Sequence, residues 1–210
     1  MDIVDPRFDG YMRSRLARYD EPVLLEMEAE AERRSFPAVG RNVGVSLEVL
    51  ARAIGAKRVF ELGSGFGYSA YWFARAVGSD GEVRCTDTDP DNAAAGKAYL
   101  ARAGFGDRVT YHVGDALASF ASVEGGFDIA FVDIDKPGYP DAWRAASDRI
   151  RVGGLYIADN TLAAGSDHVL STGEVPEALR EHNRLIAEDD RFVSTIVPTR
   201  EGVLVAVRIA

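Results

Sequence analysis

Between Arg58 and Ser69 the chain reads RVFELGSGFGYS. Val59, Phe60 and Leu62 form a short apolar run that reads as a buried strand, interrupted near its end by Glu61. Gly63, Gly65 and Gly67 follow in quick succession, and Tyr68 to Val77 then reads as a helix. Strand, glycine turn and helix in that order commit the chain to an α/β unit. Without Cβ atoms the turn lets backbone N–H groups approach a ligand, and the helix N-terminus favours negative charge. The layout suits a nucleotide-like ligand, although a bare turn uses the same glycines. The dinucleotide fingerprint G-x-G-x-x-G/A needs Gly or Ala at position 68, where Tyr68 stands. The phosphate loop G-x-x-x-x-G-K-[ST] does not occur.

The segments around this unit repeat its logic. Asp5-Pro6 caps and starts a helix carrying Phe8, Met12 and Leu16 at helical spacing. Asp20-Glu21-Pro22 starts a second, with Val23, Leu24, Met27 and Ala31 on one side. These two helices serve to cover a ligand site, to form a contact between copies, or simply to cover the sheet. Phe36-Pro37 breaks the pattern, and a third helix bearing Leu47, Leu50, Ala51 and Ile54 ends at Gly55. After the glycine helix, Val83 to Thr86 reads as a strand ending at Asp87. An acid at the tip of the second strand accepts hydrogen bonds from both ribose hydroxyls in doubly wound folds. Asp89 reads as a helix cap. Asn92 to Ala103 reads as a helix and Val109 to Val113 as a third strand. Asp115 then reads either as an N-cap or as the acceptor for an adenine amino group. Phe127 to Val132 is a nearly all-apolar fourth strand, suited to burial on both faces. Tyr139 to Ile150 reads as a helix, Arg151 to Gly154 as a turn and Leu155 to Ala158 as a fifth strand.

Strands alternating with helices from 58 to 158 imply a parallel, doubly wound sheet. Phe192 to Pro198 and Gly202 to Ile209 are joined only by Thr199-Arg200-Glu201, which demands a hairpin and so an antiparallel last strand. The 210 residues suit a single domain spanning 1–210. A net charge of −9 argues against a nucleic-acid or anionic-membrane surface, while an acidic face suits a cationic ligand. The lone cysteine, Cys85, lies in a strand-like run and reads as a buried thiol. No membrane-length apolar run occurs, and MDIVDPRFDG has no signal-peptide pattern, so a cytoplasmic protein is expected.

A second constellation stands at the ends of the fourth and fifth strands, in Asp133-Ile134-Asp135-Lys136 and Asp159-Asn160. Ligands in open α/β sheets bind outside the carboxyl ends of the strands. If the two strands are neighbours, Asp133, Asp159 and Asn160 gather beside the glycine turn. Two carboxylates and an amide oxygen are hard ligands for Mg²⁺, Mn²⁺ or Ca²⁺. The same acids also serve as helix caps and loop residues. His112, His168 and His182 are scattered along the chain and form no zinc pattern. Lys136 is either a base, since an ammonium repelled by a divalent cation gives up its proton more readily, or the partner of Asp135 or Asp141 in a surface ion pair.

An acid followed by G-x-G-x-G resembles the first motif of the S-adenosylmethionine (SAM) methyltransferases. Taken in order, F-E-L-G-S-G-F-G-Y-S, the acid Asp87, G-D-A at 114–116, F-V-D-I-D-K-P-G-Y at 131–139 and G-G-L-Y-I-A-D-N at 153–160 resemble the cation-dependent O-methyltransferases, which include catechol and caffeoyl-CoA O-methyltransferases. The resemblance runs from Asn42 to the C-terminus and implies a Rossmann-like SAM methyltransferase fold. That fold is a seven-stranded, mostly parallel sheet with an antiparallel last strand and helices on both faces. It implies SAM contacts from Glu61, Gly63 and Ser69 near the methionine end, with Gly65 and Gly67 in the same turn. Val43 would make a backbone contact to the SAM carboxylate, Asp87 would bind the ribose, and Asp115 and Ala116 would meet the adenine edge. It also implies metal ligation by Asp133, Asp159 and Asn160, with Asp133 facing the sulfonium side of SAM and Lys136 as general base. Family members are often homodimers. Two departures bear on the acceptor. The family often reads N-V-L-W where this chain has Asn160-Thr161-Leu162-Ala163, so Ala163 removes an aromatic bordering the acceptor pocket. It often has Phe where this chain has His182, just before Asn183.

The expected reaction is metal-assisted methyl transfer from SAM to a phenolic oxygen of a vicinal diol. Other readings are a SAM-binding protein without catalysis, a nucleotide-dependent oxidoreductase, which Tyr68 argues against, and a methyltransferase for another natural-product acceptor.

Overall fold

The structure, a computed structural model, describes residues 5–210. Residues 1–4, which the single-domain and leader readings include, lie outside the described residues. The elements in chain order are α1 (Pro6–Ser14), α2 (Pro22–Arg34), α3 (Gly40–Ala53), β1 (Arg58–Leu62), α4 (Tyr68–Val77), β2 (Glu82–Asp87), α5 (Pro90–Arg102) and β3 (Val109–Val113). They continue with α6 (Ala116–Ser122), β4 (Phe127–Val132), α7 (Tyr139–Ala146), β5 (Ile150–Ala158), the two-residue strands β6 (Ala163–Ala164) and β7 (Asp167–His168), α8 (Glu174–Ala187), β8 (Phe192–Val197) and β9 (Val203–Arg208).

Seven strands form one sheet in the order β3-β2-β1-β4-β5-β9-β8. Strands β1 to β5 run parallel, and β9 is antiparallel to both of its neighbours. The hairpin expectation therefore holds, with an addition. The last strand does not extend the edge but inserts between β5 and β8.

Side chains alternate across the sheet with period two. Val59, Ile129, Phe131, Leu155 and Ile157 face a layer of α2 to α5, where Leu24, Met27, Leu47, Trp72 and Leu100 are buried. Phe60, Leu62, Ala130, Val132 and Tyr156 face Phe120, Trp143, Leu179 and Ile186 on α6 to α8. Each such fully buried side chain contributes about 1.5–3 kcal/mol. Burial on both faces is why β4 reads as a nearly continuous apolar run rather than as an alternating one.

Two local expectations are corrected. The helix expected through Ile150 ends at Ala146, and β5 begins at Ile150, so 151–154 belongs to the strand rather than to a turn. The register explains why. Ile150 pairs with Phe127, yet Leu155 pairs with Ile129, so extra residues bulge out between them. Gly154 makes this possible, because a Cβ there would sit 2.7 Å from the Asp128 carbonyl oxygen. The stripe expected on α1 also differs. The helix ends before Leu16, and Phe8 and Met12 are exposed rather than packed.

Helix α2 covers the sheet layer, with Leu24 and Met27 fully buried. A buried ion pair fixes it. Arg41 Nε and Nη2 donate to Glu28 Oε1 and Oε2 at 2.9 and 2.8 Å, and Tyr68 donates to Glu28 Oε1 at 2.8 Å. Removing Glu28 would leave the buried guanidinium with Asp20 alone and take the acceptor from the Tyr68 hydroxyl. Among the described residues no helix is long and apolar enough to cross a membrane.

Candidate active site

The carboxyl ends of β1, β2, β4 and β5 open into a cavity of about 890 Å³. At its β1 side the glycine turn is stitched to β2 through Thr86. The Thr86 hydroxyl donates to the Glu61 carbonyl and accepts from Gly63 N, both at 2.9 Å, and Ser64 N donates to the Thr86 carbonyl at 2.8 Å. Gly63 has φ +85°, and a Cβ there would lie 2.3 Å from the Asp133 carbonyl oxygen. Only glycine lets β1 and β4 deliver their ends this close together. No side chain caps α4, so its first N–H groups face the turn unclaimed by a cap.

Gly63, Gly65, Ser69, Asp87, Asp115, Ala116, Asp133, Lys136 and Asn160 line the cavity, as the sequence places them. Asp87 Oδ1 accepts from Asp89 N at 2.8 Å and from Asn92 Nδ2 at 3.3 Å. Asp115 caps α6 through Ala118 N at 2.7 Å, as the N-cap reading expects, and also lines the cavity. Val43, Glu61, Gly67 and Asp159 stand behind the wall. Val43 belongs to the core, and Gly67 is backed by the Tyr111 hydroxyl. Ala163 is buried, and Ala164 and Gly165 form the wall in its place.

Glu61 is fully buried with neither carboxylate oxygen hydrogen-bonded. Burial pushes its carboxyl up to about 7, against the pull of the neighbouring Ser64, Ser69 and Cys85 groups. Cys85 is the buried thiol expected, raised by the same desolvation.

The β4 and β5 ends carry a charged network. The main chain extends the ladder past both strands, with Asp133 N on the Leu62 carbonyl at 2.8 Å and Asp159 N on the Val132 carbonyl at 3.1 Å. The Lys136 ammonium donates to Asp133 Oδ1 and Asn160 Oδ1, each at 3.0 Å, to the Tyr139 hydroxyl at 2.7 Å and to the Ile134 carbonyl at 3.2 Å. Its partners are thus Asp133 and Asn160, not Asp135 or Asp141. Tyr139 in turn donates to the Asp159 carbonyl at 2.8 Å. Asp159 is buried, and its Oδ1 has no partner. Burial and the charge of Asp133 raise its carboxyl to about 7. Burial also raises Asp133, with Lys136 opposing it.

Among the described residues no set of three or more His, Cys, Asp and Glu side chains could hold a metal. The predicted trio is of another kind, two carboxylates and an amide. It fits a hard cation on donor chemistry: two of its oxygens already converge on a positive charge, and Asp159 Oδ1 is buried with nothing to bind.

Four residues that shape the site escaped sequence reasoning. Phe36 packs its ring against Gly65, and Tyr139 joins Lys136 to Asp159. Arg200 and Glu201, read only as a hairpin connector, line the cavity from the β8–β9 tip. Arg200 donates to the Ala38 carbonyl at 2.9 Å, and Glu201 accepts from Asn160 Nδ2 at 2.5 Å and from Gly165 N at 2.8 Å. No local signal marks these two residues.

The O-methyltransferase family profile matches residues 15–209. The chain belongs to the O-methyltransferase family. It is 32% identical to a catechol O-methyltransferase of Mycobacterium tuberculosis, over 92% of this chain and 89% of that protein. A crystal structure of a methyltransferase from Geobacter sulfurreducens superposes with a TM-score of 0.85 at 32% identity, covering 100% of both chains. The SAM-bound O-methyltransferase TomG of Streptomyces achromogenes, involved in tomaymycin synthesis, superposes at 0.82 with 26% identity and 91% coverage of each chain. The seven-stranded sheet with its inserted β9 is the Rossmann-like architecture of these O-methyltransferases.

Proposed function

We propose that this O-methyltransferase moves the methyl group of SAM to a phenolic oxygen of a vicinal diol, assisted by a divalent cation at Asp133, Asp159 and Asn160. The oxygen set suits Mg²⁺ first, then Mn²⁺ or Ca²⁺. One observation carries the reading. Asp133 Oδ1 and Asn160 Oδ1 converge on a single cationic point at 3.0 Å each, beside the unpartnered Asp159 Oδ1. SAM brings a sulfonium methyl, and a cation at the trio supplies Lewis acidity to the two diol oxygens.

The chain's own groups do the rest. Asp87 offers its second carboxylate oxygen to the ribose hydroxyls, since its hydrogen bonds fall on Oδ1. Asp115 and Ala116 border the adenine, and the turn from Gly63 to Ser69 surrounds the methionine end. Glu61 stands behind that turn. A free phenol has a pKa of about 10, so a base is required near neutral pH. Lys136 releases one ammonium proton to solvent, then takes the phenolic proton as a neutral amine and returns to the ammonium that Asp133 and Asn160 hold. The close approach of Gly63 to Asp133 sets donor and acceptor ends side by side, and such positioning supplies roughly 7–11 kcal/mol in favourable cases. The exposed Phe8, Tyr11 and Met12 of α1 support a homodimer in which a second copy covers them.

The test is methyl transfer from labelled SAM to a panel of catechols, with Mg²⁺ and with EDTA. Transfer that EDTA abolishes is expected, and so is its loss in Asp133→Ala with the fold intact. Transfer that survives EDTA would remove the cation from the reaction. A second reading keeps the chemistry and changes the acceptor. The small wall of Ala164 and Gly165 favours a bulkier natural-product phenol, and the likeness to TomG points the same way. A panel of larger catechols separates the two.

A further inference from the structure

The β8–β9 tip lies far in sequence from every motif, yet it grips the loop that follows β5. Glu201 uses both its main chain and its side chain. Its carbonyl accepts from Leu162 N at 2.9 Å and Ala163 N at 3.1 Å, while its carboxylate accepts from Asn160 Nδ2 at 2.5 Å and Gly165 N at 2.8 Å. Gly202 adds its carbonyl to Thr161 N at 2.9 Å.

We propose that Glu201 is a positioning residue for Asn160, fixing which end of that amide faces the Lys136 and Asp133 side of the site. The proposal builds on the metal-assisted reading above. The argument is one of donors and acceptors. An ionised carboxylate only accepts, so Glu201 can face only the NH₂ end of the Asn160 amide. The Oδ1 end must then point to the opposite side, where it meets the Lys136 ammonium at 3.0 Å. Lys136 only donates, so the two partners agree on one orientation. They differ in permanence. Lys136 is the proposed base and gives up its hold on Asn160 during the reaction, whereas Glu201 touches the amide from outside that step. Glu201 is therefore the lasting determinant of where Oδ1 points.

The backbone needs such a tie. Asn160 sits at φ +54°, in the left-handed region that few non-glycine residues enter. Thr161 N on one side bonds the Gly202 carbonyl of the hairpin and Asp159 N on the other bonds the Val132 carbonyl of β4, so the strained residue is held from both sides. Glutamine at 201 could substitute only in part. The Asn160 side-chain amide and the Gly165 backbone N–H both present donors, and a Gln has one acceptor oxygen to share between the two sites.

The test compares wild type with Glu201→Ala, Glu201→Gln, Asn160→Ala and the Glu201→Ala/Asn160→Ala double variant, all in the full chain. Free Mn²⁺ is followed by its EPR signal during titration, and SAM binding is measured by calorimetry as a control for folding. Loss of an outer partner of a metal ligand costs roughly 10–100-fold in metal affinity. Glu201→Ala is expected to weaken Mn²⁺ by that factor, Glu201→Gln by less, and SAM binding is expected to persist. The double variant is expected to be no weaker than Asn160→Ala alone, because Glu201 acts through Asn160. Additive losses, or unchanged Mn²⁺ binding in Glu201→Ala, would overturn the proposal. A second readout needs no metal. The side-chain NH₂ resonance of Asn160, assigned by its absence from the NMR spectrum of Asn160→Ala, should sit away from the solvent-exposed position in wild type and return to it in Glu201→Ala. If wild type binds no Mn²⁺, the metal-assisted reading fails while this resonance still decides the role of Glu201. A resonance that Glu201→Ala leaves in place overturns the role.

Discussion

The two ends of the cavity are built by different means. The glycine end is made of backbone. Its turn is closed by main-chain bonds and one threonine, and its acid, Glu61, lies buried with no partner for either oxygen. The β4–β5 end is made of side chains. Lys136, Asp133, Tyr139, Asn160 and Glu201 share one connected set of hydrogen bonds drawn from three separate parts of the chain. A backbone site is fixed as soon as its two strands pair. A side-chain site depends on every contributor and fails piecemeal. Under the proposed function the contrast separates binding at one end from chemistry at the other, and the two ends touch where Gly63 meets Asp133.

The largest effect should come from Lys136→Met, which removes the proposed base and leaves the glycine end alone. Turnover is expected to fall roughly 10²–10⁴-fold in kcat with little change in SAM affinity, as general acid–base groups usually cost. A parallel loss of SAM binding in calorimetry would mean that the ends are not separable. Gly63→Ala strikes the joint between them. Its Cβ would need the space of the Asp133 carbonyl at an unfavourable φ, so SAM binding and turnover should fall together. A loss of about 3 kcal/mol in denaturant unfolding is expected as well.

His182 probes the layer behind the side-chain end. Its ring is buried, 2.9 Å from the Tyr156 hydroxyl, and burial holds it down at about 4. An unfolded histidine titrates near 6.5. Between those values the unfolded chain binds the extra proton. The stabilisation is therefore present above about pH 6.5 and is lost as pH falls toward 4, up to about 3 kcal/mol. Unfolding curves of His182→Phe should lose this part of the acid slope, and an unchanged slope would place the titration elsewhere. The smallest effect belongs to Asp87→Ala, expected to weaken SAM about tenfold through lost charged hydrogen bonds while kcat at saturating SAM stays near wild type.

Much of this was legible in the sequence because it is local. The glycine turn, the acid ending β2 and the run Asp133 to Lys136 each occupy a few consecutive residues at a strand end, and the fold rule that ligands bind there gathers them. Three features resisted for distinct reasons. The β5 bulge hides in Arg151-Val152-Gly153-Gly154, where glycines read as a turn until the register with β4 is known. The stripe of Phe8 and Met12 has helical spacing yet stays exposed, and periodicity reports a face without reporting what covers it. Arg200 and Glu201 reach the site only because β9 inserts beside β5, and nothing at positions 199–201 announces that destination.

The insertion of β9 also sets an order of assembly. A ribosome releases β9 after every other described strand, yet its place is in the interior of the sheet. Until Val203 to Arg208 have emerged, β5 and β8 have no common neighbour, and no strand holds the hairpin tip against the loop that follows β5. The nascent chain can therefore pair β1 to β5 and close its glycine turn while the other half of the cavity is still unfinished. Competence for chemistry would arrive late and all at once, with the docking of a single short strand.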